Sequence, residues 1–355
     1  MKKTIEKRNT GEQNLDRQTT RLDFIDVTKG LGVILVVLSH IINQDSIVNA
    51  VIYSFHVPLF FVISGVFARP ERDLKSYLCK NAKRLLLPFL IFFVIGLLVT
   101  LCVSGTENIT VADLFSQFVY AQPTQINVGA TWFLVSLFVT SLLFFVLYRL
   151  VLLKYNTIIS IIVIGILGAL AYYLPWAEEK IGVKVPFKID VSLMALVFYT
   201  IGFLLKDIIL SCSFCSKVWR KIIIILMSGG IVFATTYFLN GLTNLSGGIY
   251  GSNLYLYIFA AFSGSIMIIV LGVLLKHSKI LSFIGKNSLI IFSLHTLLLI
   301  PFNALLNKYD INNSLFVSLI ATVIIVLIMM GVCFCYNRLK RRIKSRINEK
   351  VSRED

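Results

Sequence analysis

Carboxylates are scarce in this chain, and none falls in the middle of an apolar run. There are 18 aspartates and glutamates against 34 lysines and arginines in 355 residues. Proton- and ion-coupled transporters work through acids held near the bilayer centre, so the shortage argues against coupled transport. The six cysteines make no framework. Cys212 and Cys215 have redox or zinc spacing, but no second ligand pair or histidine lies nearby, and ordinary reduced thiols account for them. No metal site is expected. Neither an internal repeat of the secondary-transporter kind nor a cleavable signal peptide is evident. A basic soluble surface is also lacking, which excludes a nucleic-acid partner.

What the chain has in abundance is hydrocarbon. It is 57% hydrophobic, with a mean hydropathy of +0.84. Its apolar runs reach the roughly 20 residues needed to span about 30 Å of bilayer core. Ten spans are predicted, near 24–43, 48–68, 85–104, 131–153, 156–174, 190–206, 221–240, 253–275, 281–302 and 314–337. The fold class is therefore all-α and polytopic. Residues 24–337 form one membrane domain between an N-terminal tail, 1–23, and a basic C-terminal tail, 338–355.

Lysine and arginine collect on the cytoplasmic side of membrane proteins. With both termini inside, 29 of the 34 basic residues fall in inside segments. The formal charge of +16 thus records topology and contact with anionic lipid headgroups in a cell membrane. Among the outside loops, 241–252 is polar and uncharged. It suits hydrogen bonding to a sugar and suits a glycine-rich connector equally well.

Three of the four histidines lie inside apolar runs: His40, His56 and His295. A titratable group in hydrocarbon is costly without partners, so each marks a candidate functional site. His40 and His295 lie well into spans that start inside, and His56 lies in a span that starts outside. At about 1.5 Å rise per residue all three reach comparable depths, from mid-bilayer to its outer half. Lys29 precedes His40 by eleven residues, three helical turns, and shares its face. Asp26 is placed to pair with Lys29. Asn287, Ser288, Phe292 and His295 share a face of the ninth span. Lys29 also fits a snorkelling flank residue, and His277, in a charged loop, reads as solvated.

Several strings then carry a resemblance. They are Phe24-Ile25-Asp26-x-x-Lys29-Gly30 ahead of His40, and Phe55-His56-Val57-Pro58 running on through Ser64 to Gly65. Further on come Lys83-Arg84-Leu85-Leu86-Leu87-Pro88, Trp132-Phe133-Leu134, and Ile284-Gly285-Lys286-Asn287-Ser288 ahead of His295. Together, and in this order, they resemble the membrane acyltransferase 3 family, in particular its fucose-acetylase-like branch. The family pattern often has arginine where Lys29 stands, and glycine where Ser39 stands. Lysine keeps the charge but loses the bidentate fork.

The resemblance implies about ten helices, acyl-CoA (acetyl-CoA above all) arriving from the cytoplasm, and O-acylation of a surface glycan or its lipid-linked precursor. On this reading His40 is the general base, and His56 and His295 orient it or polarise the thioester. Lys80, Lys83 and Arg84 hold the CoA phosphates, with Lys29 extending that site inward. Asp26, Ser64, Trp132, Asn287 and Ser288 support substrate or structure. Plain topological anchoring is the competing account of the basic residues. Glycan export without acyl transfer, or an acyl relay to a partner protein, are the competing functions.

Overall fold

The computed structural model describes residues 23–70, 73–104, 110–122, 125–126, 128–211, 217–311 and 314–354. The Cys212 and Cys215 pair and the tail before Asp23 lie outside these residues. Among the described residues, ten helices are long and apolar enough to cross a membrane. We label them α1 (Asp23–Ile41), α2 (Ile47–Val66), α3 (Leu74–Val103), α4 (Gly129–Leu152), α5 (Ile158–Ile181), α6 (Pro186–Leu204), α7 (Val218–Asn240), α8 (Leu254–Leu274), α9 (Ser288–Lys308) and α10 (Leu315–Ile343). Helices suit this sequence because a bilayer core offers no water to its backbone, so every N–H and C=O must be paired within the protein.

The ten helices divide into an inner and an outer set. In α1, α2, α4, α6 and α8, 61 or 67% of the apolar stretch is buried, against 22 or 33% in α3, α5, α7, α9 and α10. Helix α2 sits at the centre and packs on α6 and α8, while α6 also packs on α4 and α5. The outer helices turn large apolar side chains outward, such as Leu98, Ile161, Leu226 and Val323, as lipid contact requires.

Three boundaries differ from the hydropathy reading, each for a local reason. Helix α3 starts at Leu74, N-capped by Asp73, so Lys80, Lys83 and Arg84 ride on a helix instead of a loop. The ninth apolar run is two helices. An amphipathic Lys279–Lys286 helix ends at Asn287, whose backbone N–H bonds back to Phe283 and Ile284, and α9 begins at Ser288. After α10 the helix continues to Glu354, so the basic C-terminal segment extends the last helix.

Small residues set how closely the helices approach, as is usual where lipid provides no hydrophobic drive for association. A Cβ at Gly65 would collide with the Tyr199 carbonyl, and one at Gly202 with the Val62 carbonyl, so α2 and α6 touch backbone to backbone. Gly30 and Gly285 do the same for α1 and the Lys279–Lys286 helix, against Leu281 and Asp26. Overpacking a tight contact costs about 1–3 kcal/mol or more. Gly202→Ala is expected to lower the thermal midpoint of the detergent-purified protein by several degrees. Gly230→Ala, which meets open space, is expected to leave it unchanged.

Candidate active site

The Gly30–Gly285 contact seats the Lys279–Lys286 helix on the first turns of α1, and a charge cluster forms there. Asp26 bridges Lys29 at 3.6 Å and Lys286 at 4.0 Å. Both lysines are partly exposed, so these pairs contribute roughly 0–1 kcal/mol each and mainly hold the ammonium groups in place. Lys29 Nζ also lies 5.9 Å from the centre of the Phe67 ring. Beside it opens a cavity of about 300 Å³. Its polar lining comes from Lys29, Ser64, Arg84 and Ser288, and its apolar lining includes Phe60, Phe133 and Phe292.

Arg84 reaches this cavity from an irregular turn. Residues Ala82–Leu86 form a π-helical turn, closed by the Leu87 N–H on the Ala82 carbonyl. Pro88 follows and has no N–H to give. Such bulges recur at functional sites because they re-aim side chains within a helix. Lys80 and Lys83, from the same segment, are exposed and do not line the cavity.

On α2 His56 lies four residues from Phe60, and on α9 His295 lies three from Phe292, about one helical turn in each case. The His40 and His295 rings meet edge to face, with centroids 5.0 Å apart at 73°. His40 lies within electrostatic reach of both His56 and His295. His56 (2% exposed) and His295 (0%) are buried, whereas His40, next to last in α1, is open at the helix end. Residues 255 positions apart in sequence are thereby in ring contact.

All three rings are anchored in the same way. Nδ1 lies 2.8 Å from the Val36 carbonyl in His40 and 2.7 Å from the Ile52 carbonyl in His56. In His295 it lies 2.8 Å from Phe292 O and 3.2 Å from Ile291 O. A carbonyl only accepts, so Nδ1 must be the donor in each ring. A neutral imidazole carries one N–H, which leaves Nε2 as a bare lone pair. His295 Nε2 is buried with no hydrogen-bond partner. Chemically, this is a set of bases whose tautomer is fixed by the helix that carries them.

The remaining sequence candidates fall elsewhere. Asn287 donates from Nδ2 to Phe283 O at 2.8 Å and accepts from Asn337 Nδ2 at 2.9 Å, tying α9 to α10. Trp132 does not line the cavity; its ring lies beside Phe133 and 6.0 Å from Lys188 Nζ. The polar loop before α8 is an ordered turn network. Asn240 donates to Tyr250 O and accepts from Asn253 N, and Asn244 accepts from Ser246 N and Gly247 N. These amides bond the loop's own backbone, which a reading of composition could not show.

A second polar group, on the face opposite the charge cluster, went unnoticed in the sequence. Lys188 is only 5% exposed. Its ammonium donates to Ser246 O at 3.1 Å and lies within reach of Asp190 and Glu178. Phe187 and Lys188 both adopt left-handed backbone, at φ 56° and 55°, uncommon for side chains of this size. Asp190 Oδ1 and the hydroxyls of Tyr250 and Tyr257 are buried and make no hydrogen bond. In sequence, Lys188 looked like one more loop lysine; the only hint was its position just after Pro186.

The tautomer assignment is open to direct measurement. In protein carrying ¹⁵N-histidine, three of the four rings are expected to show a pyridine-type Nε2 and a protonated Nδ1 at neutral pH. The reverse tautomer at these three sites would overturn the assignment of Nε2 as the free lone pair.

A family model for the acyltransferase 3 type, described as an acyltransferase domain, matches residues 22–338, which includes the cavity, the charge cluster and all three histidines. No match was found among curated proteins or among solved structures. The chain therefore belongs to the acyltransferase 3 family, membrane enzymes that transfer acyl groups other than aminoacyl groups.

Proposed function

We propose that the chain moves an acyl group, acetyl in the first instance, from acyl-CoA at the cytoplasmic face to a sugar hydroxyl at the outer face. The acceptor is a surface polysaccharide or its lipid-linked precursor, and the enzyme works in the cell membrane with both termini inside. One observation carries this reading. A cavity with cationic groups at its mouth reaches Phe60 and Phe292, each about one helical turn from His56 and His295, and His40 is in ring contact with His295. At about 300 Å³ the cavity is at the small end of ligand pockets, which run from roughly 300 to 1,000 Å³. It suits the slender thioester arm, with the nucleotide left at the mouth beside Lys29 and Arg84. Phosphates need such charge-assisted partners.

In the reaction, the sugar oxygen attacks the thioester carbonyl while His40 Nε2 takes the hydroxyl proton. The tetrahedral intermediate then collapses, the C–S bond breaks, and the imidazolium returns the proton to the leaving thiolate. Positioned general-base catalysis contributes about 10²–10⁴-fold. His295, in contact with His40, orients it and shares its charge, and His56 supports the same group from α2. On the outer side, the Lys188, Asp190, Tyr250 and Tyr257 group with the Trp132 ring is suited to a hydroxyl-rich acceptor. Buried polar atoms without partners usually await a water or a ligand.

Two measurements test this reading. His40→Ala is expected to remove the ester from the surface glycan while leaving both the glycan and the level of membrane protein near normal. Substantial ester on the glycan of a well-expressed variant would exclude His40 as base. Loss of surface glycan with normal esterification inside the cell would instead favour export. For the donor, Arg84→Ala is expected to weaken CoA and acetyl-CoA equally, by about tenfold or more, as loss of a charged hydrogen bond of roughly 1.5–3 kcal/mol implies. Lys83→Ala, outside the cavity, is expected to change affinity much less, as read by calorimetry.

A further inference from the structure

Three phenylalanines from three helices close the inner end of the cavity. Phe60 comes from α2, Phe133 from α4 and Phe292 from α9, and all line the cavity wall. Their ring centroids are 5.9, 6.1 and 5.3 Å apart pairwise. That is edge-to-face contact distance for aromatic rings, normally 4.5–7 Å, so no open channel runs between them. Each is buried, at 9% exposed or less. Beyond them, the Phe292 ring lies 6.4 Å from the His295 ring. On the near side are Lys29, Arg84 and Ser288.

The geometry places these rings across the donor's path. With its phosphates at Lys29 and Arg84, a thioester reaches the imidazoles only by passing its acyl group between the three rings. Phe133 is the fixed member, backed by Phe61 at 4.9 Å and by Trp132 at 6.2 Å. Turning a ring about its last side-chain bond opens a slot for an unbranched chain. A carbon branched next to the carbonyl is wider than such a slot. From this arrangement we infer that Phe60, Phe133 and Phe292 form a collar that selects the acyl group by its cross-section. The inference rests on the acyl-CoA reading above and adds to it the shape of donor accepted.

The test uses a pair of isomers. Membrane vesicles containing the full-length protein and its own glycan are supplied with labelled acetyl-CoA, butyryl-CoA or isobutyryl-CoA. Label in the glycan and release of thiol are followed. Butyryl and isobutyryl groups have the same atoms, so their ratio reports width rather than hydrophobicity. The wild type is expected to use isobutyryl-CoA poorly relative to acetyl-CoA. Phe292→Ala is expected to raise that ratio by about tenfold, the scale of discrimination by a methyl-sized change in an apolar pocket. Phe292→Leu, which keeps more of the packing, is expected to raise it less. A purely structural role would lower the use of all three donors together and leave the ratio unchanged.

An unchanged isobutyryl-to-acetyl ratio in both variants, with acetyl transfer intact in the wild type, overturns the collar alone. So does an equal rise for butyryl and isobutyryl, because that reports length. If the wild type transfers label from none of the three donors, the acyl-CoA reading itself fails, and the collar with it.

Discussion

The site depends on one hydrogen bond made three times. An imidazole in hydrocarbon costs free energy in proportion to its unpaired polar atoms, and each histidine here pairs Nδ1 with a carbonyl about one turn back on its own helix. That bond compensates part of the burial and fixes the ring against the helix. It also decides the chemistry, since a neutral ring whose Nδ1 donates has a basic Nε2. Because the anchor lies within each helix, the tautomer does not depend on substrate being bound. In the proposed role of base, a ring prepared in this way loses little to reorganisation when the reaction begins.

In the proposed reaction the protein must keep two faces of a membrane apart while letting a substrate from each reach the same few atoms. Close glycine contacts solve part of this problem. Gly30 and Gly285 bring the Lys279–Lys286 helix onto α1, and this gathers Lys29, Asp26 and Lys286 at one mouth. Gly65 and Gly202 clamp α2 to α6 and so fix the helix that supplies both His56 and Phe60. Aromatic packing supplies the rest: rings from α2, α4 and α9 fill the space between the mouth and the imidazoles. The opposite face is assembled by different means, from a buried lysine in a left-handed turn and a loop whose asparagines bond its own backbone.

Much of this was legible in the residues alone. Ten apolar runs, their approximate limits and the clustering of lysine and arginine follow from hydropathy, which acts locally and needs no knowledge of packing. The three histidines stood out because an ionisable group in an apolar run is rare and costly. The pairing of Asp26 with Lys29 followed from helical spacing. These features depend on residues close together in the chain, so they survive without a fold.

Tertiary structure decided everything that joins distant segments. Ring contact between His40 and His295, and the third position of Lys286 beside Asp26, depend on how α1 meets the Lys279–Lys286 helix and α9. Arg84 enters the cavity while Lys80 and Lys83 stay outside it, with a π-helical turn between Lys80 and Leu87 that no periodicity announces. Asn287 shared a face with His295 in sequence, yet its amide is engaged by Asn337, fifty residues away. Phe60, Phe133 and Phe292 look like ordinary apolar residues until three helices bring them together. Hydropathy determined which segments enter the membrane; close packing between them decided which side chains meet there, because such contacts depend on shape and distance rather than local order.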